Sequence, residues 1–163
     1  MTQAILVLTT GGTIDKNYFD ALSEYQIVDS GIPALLREAR VALPFRVVEL
    51  MRKDSLELTD ADRALIASAA REAPETRIVV THGTDTMTET ARMLAAEVPG
   101  KAIVLTGALS PARFAETDAP FNLGMAFATA QVAAPGVYIA MSGEVFDGLK
   151  VRKDRAAGKF VAI

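Results

Sequence analysis

Ala4-Ile5-Leu6-Val7-Leu8-Thr9-Thr10-Gly11-Gly12-Thr13-Ile14-Asp15 is an apolar run that stops at two hydroxyls, two glycines and a third hydroxyl. The apolar part reads as a buried strand. Glycines let the backbone turn sharply, and their missing side chains let a ligand approach main-chain N–H groups. At such a strand end Thr13 fits a nucleophile or an anion clamp, and it fits a plain strand-to-loop turn equally well.

Working outward, the same grammar recurs. Arg77-Ile78-Val79-Val80-Thr81 predicts a strand that runs straight into His82-Gly83-Thr84-Asp85-Thr86, with a helix beyond to about Glu97. Phe45 to Met51, Ala102 to Thr106 and Val137 to Met141 read as further strands. Helices are expected from about Pro33 to Arg40, from the acid-rich N-cap Thr59-Asp60-Ala61-Asp62 to about Ala73, and from Pro120, capped by Asp118, to about Val132. Asp15 to Tyr25 is polar, bears aromatics and is too irregular for a defined element; it reads as a lid loop. Alternating strands and helices imply an α/β fold: a doubly wound parallel sheet in three α/β/α layers, Rossmann- or flavodoxin-like. Ligands bind such sheets beyond the carboxyl ends of the strands. Thr13, Thr84, Gly107 and Ser142-Gly143 all fall there.

Composition narrows the chemistry. The 163 residues are 50% hydrophobic with a net charge of −3, enough for one core and without a nucleic-acid footprint. The absence of cysteine excludes disulfides, thiolate metal sites and cysteine nucleophiles. A single histidine argues against a multi-histidine metal site and a conventional serine-histidine triad. The five-residue apolar run at the N-terminus is a strand, not a signal peptide or a membrane span, and a cytoplasmic location is the default expectation.

Hydroxyl-rich strand ends without cysteine direct attention to threonine as a nucleophile, which needs a base or a desolvated cation to help it. Asp85 lies next to Thr84, and Lys153, if buried, serves as base or fixed charge. Gly11, Gly12 and Gly83 offer N–H groups to a carboxylate or developing oxyanion. Together these fit acyl transfer from an amide. Each has a bland counterpart: Thr84-Asp85-Thr86 as a helix cap, Lys153 within a solvated charged segment, Tyr18 and Tyr25 as loop anchors. His82 reads as a hydrogen-bonded structural residue.

The pair Thr10-Gly11-Gly12-Thr13-Ile14 and Thr81-His82-Gly83-Thr84-Asp85-Thr86-Met87 resembles the two signatures of the bacterial-type L-asparaginase/glutaminase family. Gly107-Ala108-Leu109-Ser110-Pro111, Asp118 to Leu123, and Asp147-Gly148 followed by Lys153 resemble its later blocks, so the likeness runs from Ile5 to about Lys153. The resemblance implies that Thr13 is the acylated nucleophile, assisted by a lid tyrosine for which Tyr25 is the better match and Tyr18 the rival. It implies a second catalytic cluster of Thr84, Asp85 and Lys153. Substrate binding falls to Gly12, Gly83, Ser55 for the α-carboxylate, Asp85 for the α-ammonium, and the Ala108 carbonyl for the side-chain amide. No cofactor or metal is implied.

The departures concern substrate more than chemistry. Family members are usually about twice this length, with a second, smaller α/β domain; residues 1–163 are expected to form a single N-terminal-like domain without it. Leu56 stands where a polar binder is common, Ile14-Asp15-Lys16 brings charge beside Thr13, and Lys153 lacks a threonine-rich flank. The expected activity is hydrolysis of L-asparagine to L-aspartate and ammonia, with a small-molecule amide as the partner and neither nucleic acid nor membrane. A different or larger amide, or a non-catalytic amino-acid-sensing module, are the alternatives. A homodimer or higher homo-oligomer is expected to cover surface that a second domain would bury.

Overall fold

The computed structural model describes residues 3–19 and 24–163. Its centre is a six-stranded sheet built from β1 (Ile5–Gly11), β4 (Phe45–Lys53), β5 (Arg77–Thr81), β6 (Ala102–Thr106), β7 (Gly136–Met141) and β8 (Glu144–Asp147). The spatial order is β4-β1-β5-β6-β7-β8. All neighbours run parallel except β8, which pairs antiparallel with β7. Helices α1 (Ile32–Glu38), α2 (Asp60–Glu72), α3 (Met87–Glu97) and α4 (Ala119–Val132) cover the two faces.

Alternation along the strands explains why β1 is apolar throughout. Leu6 and Leu8 join Ile66, Ala70, Leu94, Ile78 and Val80 in one core, against α2 and α3. Ile5 and Val7 join Leu36, Val79, Val104, Leu123 and Phe127 in the other, against α1 and α4. A parallel strand buried on both faces has no solvent side on which to place polar residues. This is the expected doubly wound three-layer fold. Among the described residues no helix is long and apolar enough to cross a membrane.

The chain leaves β1 for β4 on one side and then returns to β5 on the other. That reversal opens a crevice between the carboxyl ends of β1 and β5, the usual ligand position in such sheets. The two glycine turns are the walls of this crevice.

Two expectations are corrected. Residues 15–25 are not simply an irregular loop: β2 (Lys16–Phe19) and β3 (Glu24–Ile27) pair as an antiparallel hairpin, with Tyr18 opposite Tyr25; residues 20–23 of that lid lie outside the described ones. Asp118 does not cap α4. Its carboxylate instead accepts the Leu109 and Ser110 amides at 2.9–3.0 Å, tying down the loop after β6. The stretch beyond Glu144 is ordered as β8, β9 (Val151–Asp154) and β10 (Lys159–Ala162). The Thr59 cap holds, as a reciprocal box with Asp62.

The β9–β10 hairpin is fastened to the α3-side core by Val151 and Phe160, both buried. Phe160→Ala should cost about 3 kcal/mol in urea denaturation, the usual penalty for emptying a buried aromatic position. Because β9 carries Lys153, loss of hairpin docking should be visible first as faster amide exchange in residues 151–162.

Candidate active site

Backbone contact, more than side chains, builds the crevice. Gly11 and Gly12 have φ of +105° and +82°, in the region that favours glycine. A Cβ on Gly12 would lie 2.5 Å from the Gly83 nitrogen, and one on Gly83 would lie 2.7 Å from the Ser55 side chain. The turns after β1 and β5 and the segment after β4 are therefore stacked against one another. The Thr10 hydroxyl donates to the Thr81 carbonyl at 2.8 Å, and the Thr86 hydroxyl to the Ser55 carbonyl at 2.7 Å, locking that stack from both ends.

Lys153 Nζ donates to Thr84 Oγ1 and to Asp85 Oδ1, each at 2.7 Å. The ammonium is mostly shielded, with side-chain exposure of 17%. Residues 68 and 69 positions apart in sequence are thus brought into one cluster by the β9–β10 hairpin. The solvated-segment reading of Lys153 fails here. The capping reading of Thr84-Asp85-Thr86 also fails, since Thr86 precedes α3 without a side-chain cap bond and spends its hydroxyl on Ser55.

Thr13 opens a short 3-10 turn and lines a cavity of about 290 Å³ together with Lys16, Tyr25, Leu109, Ser110, Pro111 and Phe114. Tyr25 is the tyrosine in that lining; Tyr18 packs on it with ring centroids 5.1 Å apart. Gly12 acts through its missing side chain, because its own N–H is donated to the Lys53 carbonyl at 2.9 Å. Ser55 is buried beneath Gly83, and its hydroxyl has no hydrogen-bond partner among the described residues. Ala108 lies buried at the start of the loop after β6.

His82 is fully buried. Its Nδ1 lies 2.6 Å from the Gly83 carbonyl and its Nε2 2.8 Å from Thr90 Oγ1, and burial pushes its pKa down to about 4. A neutral ring holding the Gly83 carbonyl is the structural role expected of it.

The chain as a whole is similar to known proteins. The family described as "Asparaginase, N-terminal" matches residues 4–159. The chain belongs to the asparaginase family. It is 33% identical over 163 residues to the L-asparaginase of Thermococcus kodakarensis, an alignment spanning 94% of this chain and 48% of that protein. It is 44% identical over 79 residues to L-asparaginase 2 of Escherichia coli, over 46% of this chain and 23% of that one. The solved structure of the thermostable Thermococcus kodakarensis L-asparaginase superposes with a TM-score of 0.86 at 29% identity, covering 98% of this chain and 51% of that one. The chain spans about half the length of these full relatives.

Two polar groups that organise this asparaginase-family site were not assigned a role from sequence. Asn122, fully buried, donates from Nδ2 to the Gly107 carbonyl at 3.0 Å and to Asp118 at 2.9 Å, while its Oδ1 accepts the Ser142 amide at 3.1 Å. It joins the loops after β6 and β7 to α4. The signal for it was a lone amide in the otherwise apolar Ala119 to Phe127. Asp15 was noted only as a charge beside Thr13. It is 1% exposed and its Oδ1 accepts the Ser30 hydroxyl at 3.0 Å and the Gly31 amide at 3.2 Å, tying the glycine turn to the start of α1.

Burial raises the Asp15 pKa to about 6, and the Ser30 and Gly31 hydrogen bonds only partly offset it. The sign follows from linkage. The folded state binds this proton more tightly than the unfolded state, so the ionised group destabilises the fold as pH rises through the window from about 4 to 6. Asp15→Asn keeps the acceptor and removes the charge. It should be more stable than the wild type by about 3 kcal/mol at pH 8, with the gap closing below about pH 4, as read from denaturation curves at several pH values.

Proposed function

We propose that this chain is an amidohydrolase acting on the side-chain carboxamide of a small amino acid, with L-asparagine as the leading substrate and L-aspartate and ammonia as products. The observation that carries the reading is the Lys153 ammonium bonded at once to Thr84 and Asp85, on the same sheet edge as Thr13.

In this reading Thr13 Oγ attacks the amide carbon. A partly exposed threonine at the end of a strained glycine turn is accessible and stiffly held. The Asp85 carboxylate accepts and returns the proton by way of the Thr84 hydroxyl, the Lys153 ammonium holding the two oxygens in line. The amides of the Gly83–Thr84 turn face the developing oxyanion. The C–N bond breaks, ammonia leaves with the proton taken from Thr13, and water releases the acid from the threonyl ester. Tyr25, which shares the cavity with Thr13, is the assisting lid residue. Substrate is held by Asp85 at its ammonium and by Ser55 at its carboxylate. A buried hydroxyl with no partner among the described residues costs free energy, and an anionic ligand supplies the missing acceptor.

Thr13→Ala and Lys153→Met should each lower ammonia release from L-asparagine by about a thousandfold or more, with circular dichroism unchanged, as expected when a nucleophile or its activating group is removed. Activity retained by either variant would remove that residue from the mechanism. We further propose that the protein works as a homodimer or higher homo-oligomer, with the exposed side chains of Leu56, Phe121 and Val145 on its contact surface. Light scattering should give at least twice the 17.3 kDa chain mass; a single monomeric species would overturn it.

A further inference from the structure

The site has two unlike sides. On one lies the ion-paired cluster of Lys153, Thr84 and Asp85. On the other lies the cavity of about 290 Å³, with Thr13 at one end and Tyr25, Leu109, Pro111 and Phe114 along its walls. Its one charged group, Lys16, is already paired with Asp54 at 3.1 Å. Whatever occupies this side meets aromatic and aliphatic surface, with no carboxylate among the described residues of the lining.

That surface is stiff and exposed. The Leu109 and Ser110 amides are both held by Asp118, the Thr117 hydroxyl donates to the Ser110 carbonyl at 2.9 Å, and the Ala112 amide to the Ile14 carbonyl at 3.0 Å. The wall is therefore fastened to the very turn that carries Thr13. Yet Tyr25, Leu109 and Phe114 remain 53%, 53% and 36% exposed, and the Tyr25 and Phe114 rings lie 6.0 Å apart. Apolar side chains gathered around a reactive group and left in water favour a ligand that covers them. Ammonia needs none of this volume. A cavity of about 150 Å³ suffices for benzene, so this one has room for a ring and a linking methylene.

We propose that the site accepts N-substituted amides whose leaving amine carries an apolar group about the size of benzyl, seated between Tyr25, Leu109 and Phe114. The inference rests on the amidohydrolase reading and extends it to the leaving-group side. The assignment to that side follows from position: in that reading the substrate ammonium sits at Asp85 in the Lys153 cluster, so the acyl chain runs from Thr13 toward that cluster and the leaving amine lies on the cavity side. The reaction balances as before. Thr13 Oγ bonds to the acyl carbon, the C–N bond breaks, and the amine leaves with the threonine proton. Water then cleaves the ester to give the acid and free Thr13.

The test is hydrolysis of L-asparagine, N4-methyl-L-asparagine and N4-benzyl-L-asparagine by the whole chain, with amine or ammonia release measured for each. The benzyl amide should have kcat/KM about tenfold or more above the methyl amide, since each buried methylene-sized unit contributes roughly fourfold. Phe114→Ala and Leu109→Ser should each cut that ratio at least about threefold, on the same basis. A ratio near one in the wild type, or one unmoved by both variants, overturns the inference. Turnover of L-asparagine with the benzyl amide inert overturns it while leaving the amidohydrolase reading intact. No turnover of any of the three overturns both. Should Phe114→Ala fail to fold, Leu109→Ser, at an exposed position, decides alone.

Discussion

Gly12 lying on Gly83 is the contact on which the rest of the site depends. The two residues lie in turns that come from strands on either side of the sheet's reversal point; Gly12 has no room for a methyl group against Gly83, nor Gly83 against Ser55. Parallel pairing of β1 with β5 puts Thr9 beside Thr81 in register, so the turns leave the sheet at the same level. Close approach of the backbones then sets the turns that carry Thr13 and Thr84 side by side. A larger residue at Gly12 would push the turns apart and also have to adopt a φ that side chains resist. Here glycine is required by neighbouring backbone as much as by any ligand.

Around that contact the protein uses polar groups as ties between loops that have few apolar residues of their own. Asn122 and Asp118 bind the loops after β6 and β7, and Asp15 binds the glycine turn to the start of α1. Such groups are costly to bury, and each is matched by two or three partners, which makes the loops stiff where a reaction needs fixed distances. Asp15 is the exception in degree. It is deep enough that its ionised form is disfavoured, so the turn beside Thr13 is held by a carboxyl whose charge state changes near pH 6.

The fold was legible in the sequence because its dominant signal is physical and local. Continuous aliphatic runs such as Ile5 to Leu8 and Ile78 to Val80 are what strands covered on both faces require, and the amphipathic stretches between them have helical period. The glycine-threonine turns were legible for the same reason, since their residue types follow from backbone geometry. What escaped was non-local. Asp118 looks like a helix cap because it precedes Ala119-Pro120, and only the folded loop offers it the Leu109 and Ser110 amides instead. Tyr18 and Tyr25 sit in strands of four residues, too short for a period of two to stand out. Lys153 lies among charges that all look alike in sequence, and only the resemblance, through Asp147-Gly148 ahead of it, singled it out. It differs from them because Val151 and Phe160 pin its hairpin to the core and aim it at Thr84.

The two sides of the crevice also answer to different constraints. Lys153 holds Thr84 and Asp85 by two 2.7 Å bonds, and moving any of the three by an ångström would break one, so that side tolerates little variation. The Leu109 to Phe114 wall contributes shape and apolar area, and its backbone is held by Asp118 and Ile14, not by its own side chains. Side chains there can change without moving the turn that carries Thr13. In the proposed reaction, the fold thus separates the groups that break the bond from those that select which bond is presented. The first are carried by the turns after β1 and β5 and by β9, and the second by a loop tied to the turn after β1.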